Sequence, residues 1–178
     1  MALALIPQKA SAQKVAISTN LGDWAYLATA NVDVSYAFAR RFSVTAAVKY
    51  NNWEFNKTNP DIAIFNKNQT ANVSIRFWPW FVYSGWWISL KAQYSKFSRA
   101  GIWRPAMENA TAVGGGLGFG YTFMISKHFN IELGAGAWGG RMLDYQLYCC
   151  PKCMELREEG PRNFIDFDEA RVALQFVF

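Results

Sequence analysis

At 178 residues and 20.2 kDa, with 52% hydrophobic and only 17% charged residues, the chain has the size of one domain and is too apolar to stay disordered. A mean hydropathy of −0.03 excludes a bundle of membrane-spanning helices, each of which needs about 20 consecutive apolar residues. The net charge of +5 does not point to a nucleic-acid partner, because Lys and Arg are scattered and only Arg40 and Arg41 are adjacent. What remains, with 14 Phe, 8 Tyr, 8 Trp and 13 Gly, suits a β-sandwich or a barrel with lipid outside and a polar interior.

The chain opens on an apolar stretch, residues 1–6, followed by Ala10 and Ala12 in the small-residue spacing of a secretory cleavage site. Residues 1–12 are therefore expected to be a signal-peptide remnant and 13–178 a single exported domain. From residue 14 onward apolar and polar residues alternate, the period of half-buried strands. Val15, Ile17 and Leu21 share the first face, with Thr19 as the exception. Next, Val32, Val34, Tyr36 and Phe38 oppose Asn31, Asp33, Ser35 and Ala37. Val44, Ala46, Val48 and Tyr50 oppose Ser43, Thr45, Ala47 and Lys49. Ala71, Val73, Ile75 and Phe77 oppose Thr70, Asn72, Ser74 and Arg76. Trp86, Ile88, Leu90, Ala92 and Tyr94 oppose Ser89, Lys91, Gln93 and Ser95. Two glycine-rich strands follow, 112–123 and 129–138, whose inner glycines make room for bulky neighbours. The last strand sets Val172, Leu174, Phe176 and Phe178 against Glu169, Arg171, Ala173 and Gln175. Eight strands of about ten residues result, each long enough to cross a bilayer at a tilt.

The connections alternate too. Those at 39–41, 79–84 and 126–128 are short, whereas 22–29, 56–67, 99–109 and 149–165 are long. Short inner turns and long outer loops are the pattern of an even-stranded outer-membrane barrel with both termini in the periplasm. Aromatic rings gather at both strand ends, as two interfacial girdles require. One holds Tyr36, Phe38, Phe42, Phe77, Trp78, Trp80, Trp86, Tyr121, Phe123, Phe129, Phe176 and Phe178. The other holds Trp24, Tyr26, Tyr50, Trp53, Tyr94, Phe97, Tyr145 and Tyr148. The terminal pair Phe176 and Phe178 also resembles the signal that the barrel-assembly machinery reads.

With the apolar face outward, the charges on the other face must share the lumen. Asp33 and Lys49 fall at matching heights, and Arg76, Lys91, Glu132, Glu169 and Arg171 lie on the same face above the inner rim. Buried charges persist when paired, so these seven residues are expected to form a salt-bridged network. An eight-stranded interior is just wide enough for side chains to fill, which favours a plugged lumen over a small-solute channel.

Catalysis finds little support. His128, the one histidine, sits in a short turn on the opposite side from Asp144, Glu155, Glu158 and Glu159. The glycine run at 114–120 opens no helix, so it is not a phosphate loop. Cys149, Cys150 and Cys153 lack the further ligands zinc needs. Outside the cytosol a Cys150–Cys153 disulfide is expected, with Cys149 free or paired elsewhere. No catalytic, metal or cofactor site is expected.

VAISTNL at 15–21, YNNWEF at 50–55, IRFW at 75–78, GFGY at 118–121, KHFNIEL at 127–133, CPKC at 150–153 and ALQFVF at 173–178 occur in that order. This series resembles a family of small outer-membrane barrels from Bacteroidota classed as a domain of unknown function, of OmpA-like architecture. The resemblance covers nearly all of the chain after residue 12. It implies a Gram-negative outer-membrane location and a link with surface fimbriae, and no catalytic residue. Cys149, where the family often has proline, and Gly22–Trp24 depart from the pattern.

The expected protein is thus all-β: a closed antiparallel eight-stranded transmembrane barrel, non-catalytic, acting through its loops or wall in an envelope assembly. Its partners would be outer-membrane lipid or lipopolysaccharide, the assembly machinery and an envelope protein. A barrel enzyme acting on lipid or peptide is the alternative, besides the channel.

Overall fold

The computed structural model describes residues 14–26, 28–55, 64–100, 106–149 and 155–178, with Phe55 and Glu169 described by their backbone alone. The expected leader, Cys150, Cys153 and the Glu169 side chain lie outside the described residues. In chain order the elements are β1 (Val15–Asn20), α1 (Leu21–Ala25), β2 (Ala30–Ala39), β3 (Phe42–Phe55), β4 (Ile64–Phe77) and β5 (Gly85–Ala100). They continue as β6 (Met107–Met124), β7 (Phe129–Met142), β8 (Gln146–Tyr148), β9 (Leu156–Glu159) and β10 (Arg162–Val177). Strands β1 to β7 and β10 pair with their neighbours, all antiparallel. The ring closes where Ile17 meets Phe176 across the β1–β10 seam. This is a closed eight-stranded barrel.

Alternation decides which way each side chain faces. On β2, Val32 and Val34 are 43% and 48% exposed while Asp33 between them is 2% exposed. The same inversion holds around the ring: Ser43, Thr45, Ser74, Arg76, Ser89, Lys91, Glu132, Arg171 and Gln175 are buried, and Ile75, Ile88, Leu90, Leu117 and Phe119 are exposed. Thr19, the polar residue on the outer face of β1, is satisfied locally. Its hydroxyl donates to the Asn31 carbonyl at 3.0 Å and accepts the Trp24 indole N–H at 2.8 Å.

At the short-turn end the outward rings form chains of contact. Phe38, Phe42 and Phe77 follow one another at 6.1 and 5.2 Å, Trp86, Tyr121 and Phe123 at 5.2 and 4.6 Å, and Phe129, Phe176 and Phe178 at 6.5 and 4.8 Å. Trp78 is the correction to this belt. It is fully buried inside, with its indole N–H on Ser43 Oγ at 3.0 Å, because the turn after β4 folds inward over the neighbouring turn. Trp78, Tyr83 and Trp87 pack with Ala16 and Val177 as an aromatic floor. Burial pushes the Tyr83 phenol above its ordinary pKa, so it remains a neutral donor to the Lys14 carbonyl at 3.2 Å. Gly85, with φ of 76°, ends this turn, and a Cβ there would meet the Trp80 ring at 2.8 Å.

At the other end, Trp24, Tyr26, Tyr50 and Tyr94 are exposed as expected, but Tyr145 and Phe97 turn inward. They join Ala110, Ala112, Trp138, Met142, Leu147 and Phe164 in a second cluster. The long-loop end is also more ordered than alternation suggested. Strands β4, β5 and β6 extend beyond their expected ends, and β8 continues the sheet by pairing with β6 and β9. The cross-strand bonds that lengthen them come from partner strands, which a single segment's pattern does not report.

Candidate functional site

Across the middle of the barrel runs one chain of alternating charge. Glu132 on β7 is fully buried; its Oε1 accepts from Arg76 Nη1 on β4 at 2.6 Å and its Oε2 from Arg171 Nε on β10 at 2.9 Å. Arg171 Nη2 then donates to Asp33 Oδ2 on β2 at 2.5 Å and to Ser18 Oγ at 3.3 Å. Two cations and two anions thus cancel, which is what lets charges survive burial. The Arg76 guanidinium also stacks on the Trp87 ring, 4.7 Å from its centroid. Among Asp33, Arg76, Lys91 and Arg171 a cavity of about 20 Å³ remains, roughly the room one water molecule occupies.

Among the described side chains this chain joins Asp33, Arg76, Glu132 and Arg171 of the expected network. Lys91 is inside as expected and pairs with a carboxylate outside the expected set, Asp168, which also accepts from Gln93 Nε2 at 2.8 Å. Alternation does not reveal Asp168, because a bulge between Phe167 and Glu169 shifts the pairing with β7 and turns it inward. Two adjacent acids, Asp168 and Glu169, interrupting an alternating strand were the available signal. Lys49 has a partner that alternation does not indicate. Its Nζ sits 2.8 Å from Asp23 Oδ2, above the level of Asp33, where α1 folds back over the barrel mouth. The Asn20 side chain caps that helix, accepting from the Gly22 N–H at 3.1 Å.

The glycines on β6 and β7 clear space for these groups. A Cβ at Gly116 would come within 2.8 Å of Lys91 Cε, and one at Gly134 within 2.8 Å of Trp87 Cζ2. A continuous row of side chains on two adjoining strands would leave no room for either.

Above the Lys91–Asp168 pair the interior widens into a cup of about 570 Å³, within the range of small-molecule sites. Asn66, Asn68, Thr70, Gln93 and Ser95 line one wall, and Trp138 and Phe164 stand on the other with ring centroids 4.6 Å apart. Among the described residues no three His, Cys, Asp or Glu side chains converge as metal ligands. His128 lies at the opposite end, stacked on Phe176 at 5.9 Å with Nδ1 3.0 Å from the Val177 carbonyl. Cys149 Sγ accepts from Arg157 Nη2 at 3.2 Å. Phe176 and Phe178 point outward beside the seam.

Comparison with known proteins gave one family. The family model described as "Protein of unknown function (DUF3575)" matches residues 1–178. Neither a search of curated proteins nor a search of solved structures produced a match.

Proposed function

The chain belongs to the family of proteins of unknown function DUF3575, and on that premise we propose that it is a non-catalytic outer-membrane barrel of a Gram-negative cell. In this reading both termini are periplasmic and the β8–β9 end faces outward. The observation that carries it is the inverted wall. Outward apolar residues form a band of about nine residues on β3 (Phe42 to Tyr50) and on β5 (Trp86 to Tyr94). At about 3.3 Å per residue and a tilt near 40°, nine residues rise roughly 23 Å, close to the apolar height of a bilayer barrel. In water the same wall would expose far more contiguous apolar surface than the few hundred Å² of a typical monomer. Lipid and lipopolysaccharide would contact this band, and the assembly machinery would engage Phe176 and Phe178.

The activity would reside at the outer end, as a surface-binding or accessory component of an envelope assembly. The fimbrial link is the one that the sequence resemblance implies. One tagged protein tests location and partnership together. An epitope inserted between Glu159 and Gly160 should be reached by antibody on intact cells, and one inserted at Ser126–His128 only after permeabilisation. Affinity recovery through the outer tag should bring an envelope protein in fixed stoichiometry. Labelling of both positions only in opened cells would overturn the location, and repeated recovery of the barrel alone would overturn the accessory role.

The charge chain and the aromatic floor support a plugged lumen. In planar bilayers the purified barrel is expected to show negligible single-channel conductance; a steady open conductance of porin size would contradict the plug.

A further inference from the structure

We propose that the cup at the outer end binds a neutral sugar, one or two rings of a glycan. The inference rests on the reading above only for where the glycan would come from. The chemistry is set by what the cup offers once its described cations are paired. Lys91 is matched by Asp168, Lys49 by Asp23, and Arg99 donates through Nε to Glu108 at 2.8 Å. Each cation among the described lining residues thus faces a carboxylate, which disfavours selection of a phosphate or a carboxylate. The remaining lining is amide and hydroxyl on β4 and β5, facing the Trp138 and Phe164 rings on β7 and β10.

Two further groups in this lining can accept from a ligand. Asp166 is exposed to the cup and has no ion-pair or hydrogen-bond partner among the described residues. Gln93 is 5% exposed, and its Oε1 accepts nothing although its Nε2 is held by Asp168. A buried acceptor without a donor destabilises the unliganded barrel, and a ligand hydroxyl supplies the missing proton. An apolar ligand would leave the buried Gln93 Oε1 without a donor, which is unfavourable. A sugar ring satisfies both walls at once. Its hydroxyls donate to Asp166 and Gln93 Oε1 and exchange hydrogen bonds with the amides, while its C–H face lies on Trp138.

The test is calorimetric titration of the full chain in a zwitterionic detergent without a sugar headgroup. The probes are methyl glycosides of glucose, galactose, mannose and N-acetylglucosamine, with glucosamine and sialic acid as charged controls. At least one neutral glycoside should bind saturably, with a Kd of about 1 mM or tighter. Asp166→Ala should weaken it at least tenfold with the unfolding temperature unchanged, and Trp138→Phe should weaken it less. Competition by the cell's own lipopolysaccharide would assign the ligand to its own envelope, and competition by foreign polysaccharide alone would assign it to the surroundings; both support the site. No saturable binding by any neutral glycoside, equal binding by Asp166→Ala, or preference for a charged control would overturn it. Because the titration is done in micelles, its failure is separate from a failure of the outer-membrane reading, which epitope labelling decides.

Discussion

Replacing Glu132 by alanine is expected to cost the barrel about 3–5 kcal/mol, a large share of a typical domain's stability. Glu132 is the one carboxylate touching both Arg76 and Arg171 in the described network, and it is fully buried. Without it, two guanidinium groups share the mid-lumen with Asp33 as the remaining anion of the chain. Most of the loss comes from the orphaned arginines rather than from the bonds themselves. The double variant Arg76→Leu/Glu132→Leu should therefore lose less than Glu132→Ala alone, because Arg171 and Asp33 remain as a neutral pair at 2.5 Å. Urea unfolding in micelles, followed by heat-modified gel mobility, measures the series. A Glu132→Ala midpoint equal to that of the unaltered chain, or a double variant weaker than the single, would contradict the assignment.

The second large effect is at Gly134. A Cβ here would lie 2.8 Å from the Phe119 carbonyl oxygen on the facing strand and 2.8 Å from Trp87 Cζ2 inside the barrel. Both distances are far below van der Waals contact, so Gly134→Ala is expected to cost about 1–3 kcal/mol and Gly134→Val more, up to failure to fold. Trp87→Ala alone should cost about 3–5 kcal/mol, since the ring is 3% exposed and packs on Trp78 at 6.4 Å. Combining Trp87→Ala with Gly134→Ala removes one of the two clashes. The pair should then fall short of the summed costs by at least about 0.5 kcal/mol, the scale of coupling between touching residues. Strict additivity, measured by the same unfolding titration, would show that the ring and the strand do not press on each other.

Both effects come from the inner faces of strands, and the sequence already separated those faces. Asp33, Arg76, Glu132 and Arg171 are legible from alternation because each stands in an unbroken run, where two residues along the chain return the side chain to the same side. The need for small residues opposite the large ones was legible for the same reason, since the inner glycines of β6 and β7 fall in phase. Trp78 escapes the pattern because it stands one residue past the end of β4, where alternation no longer governs direction. Its fate depends on the turn that tucks it under Ser43. Tyr145 lies beyond β7 in the same way, and its burial follows from β8 closing onto β6.

Partner choice is a different quantity from side-chain direction. Alternation is local, so the chain by itself determined the all-β class, the inward and outward sets, the turn parity and the charged lumen. Which charges meet depends on how far each strand is staggered against the next, and stagger is fixed by pairing between distant segments. The bulge beside Asp168 moved one carboxylate to Lys91, and the fold-back of α1 gave Lys49 a partner in Asp23. Neither is a property of its own segment. The cup has the same origin: Gln93, Asp166 and Trp138 stand on three strands and converge only when the sheet curls shut. Closure of the barrel, rather than the pattern along it, brings a polar wall to face an aromatic one.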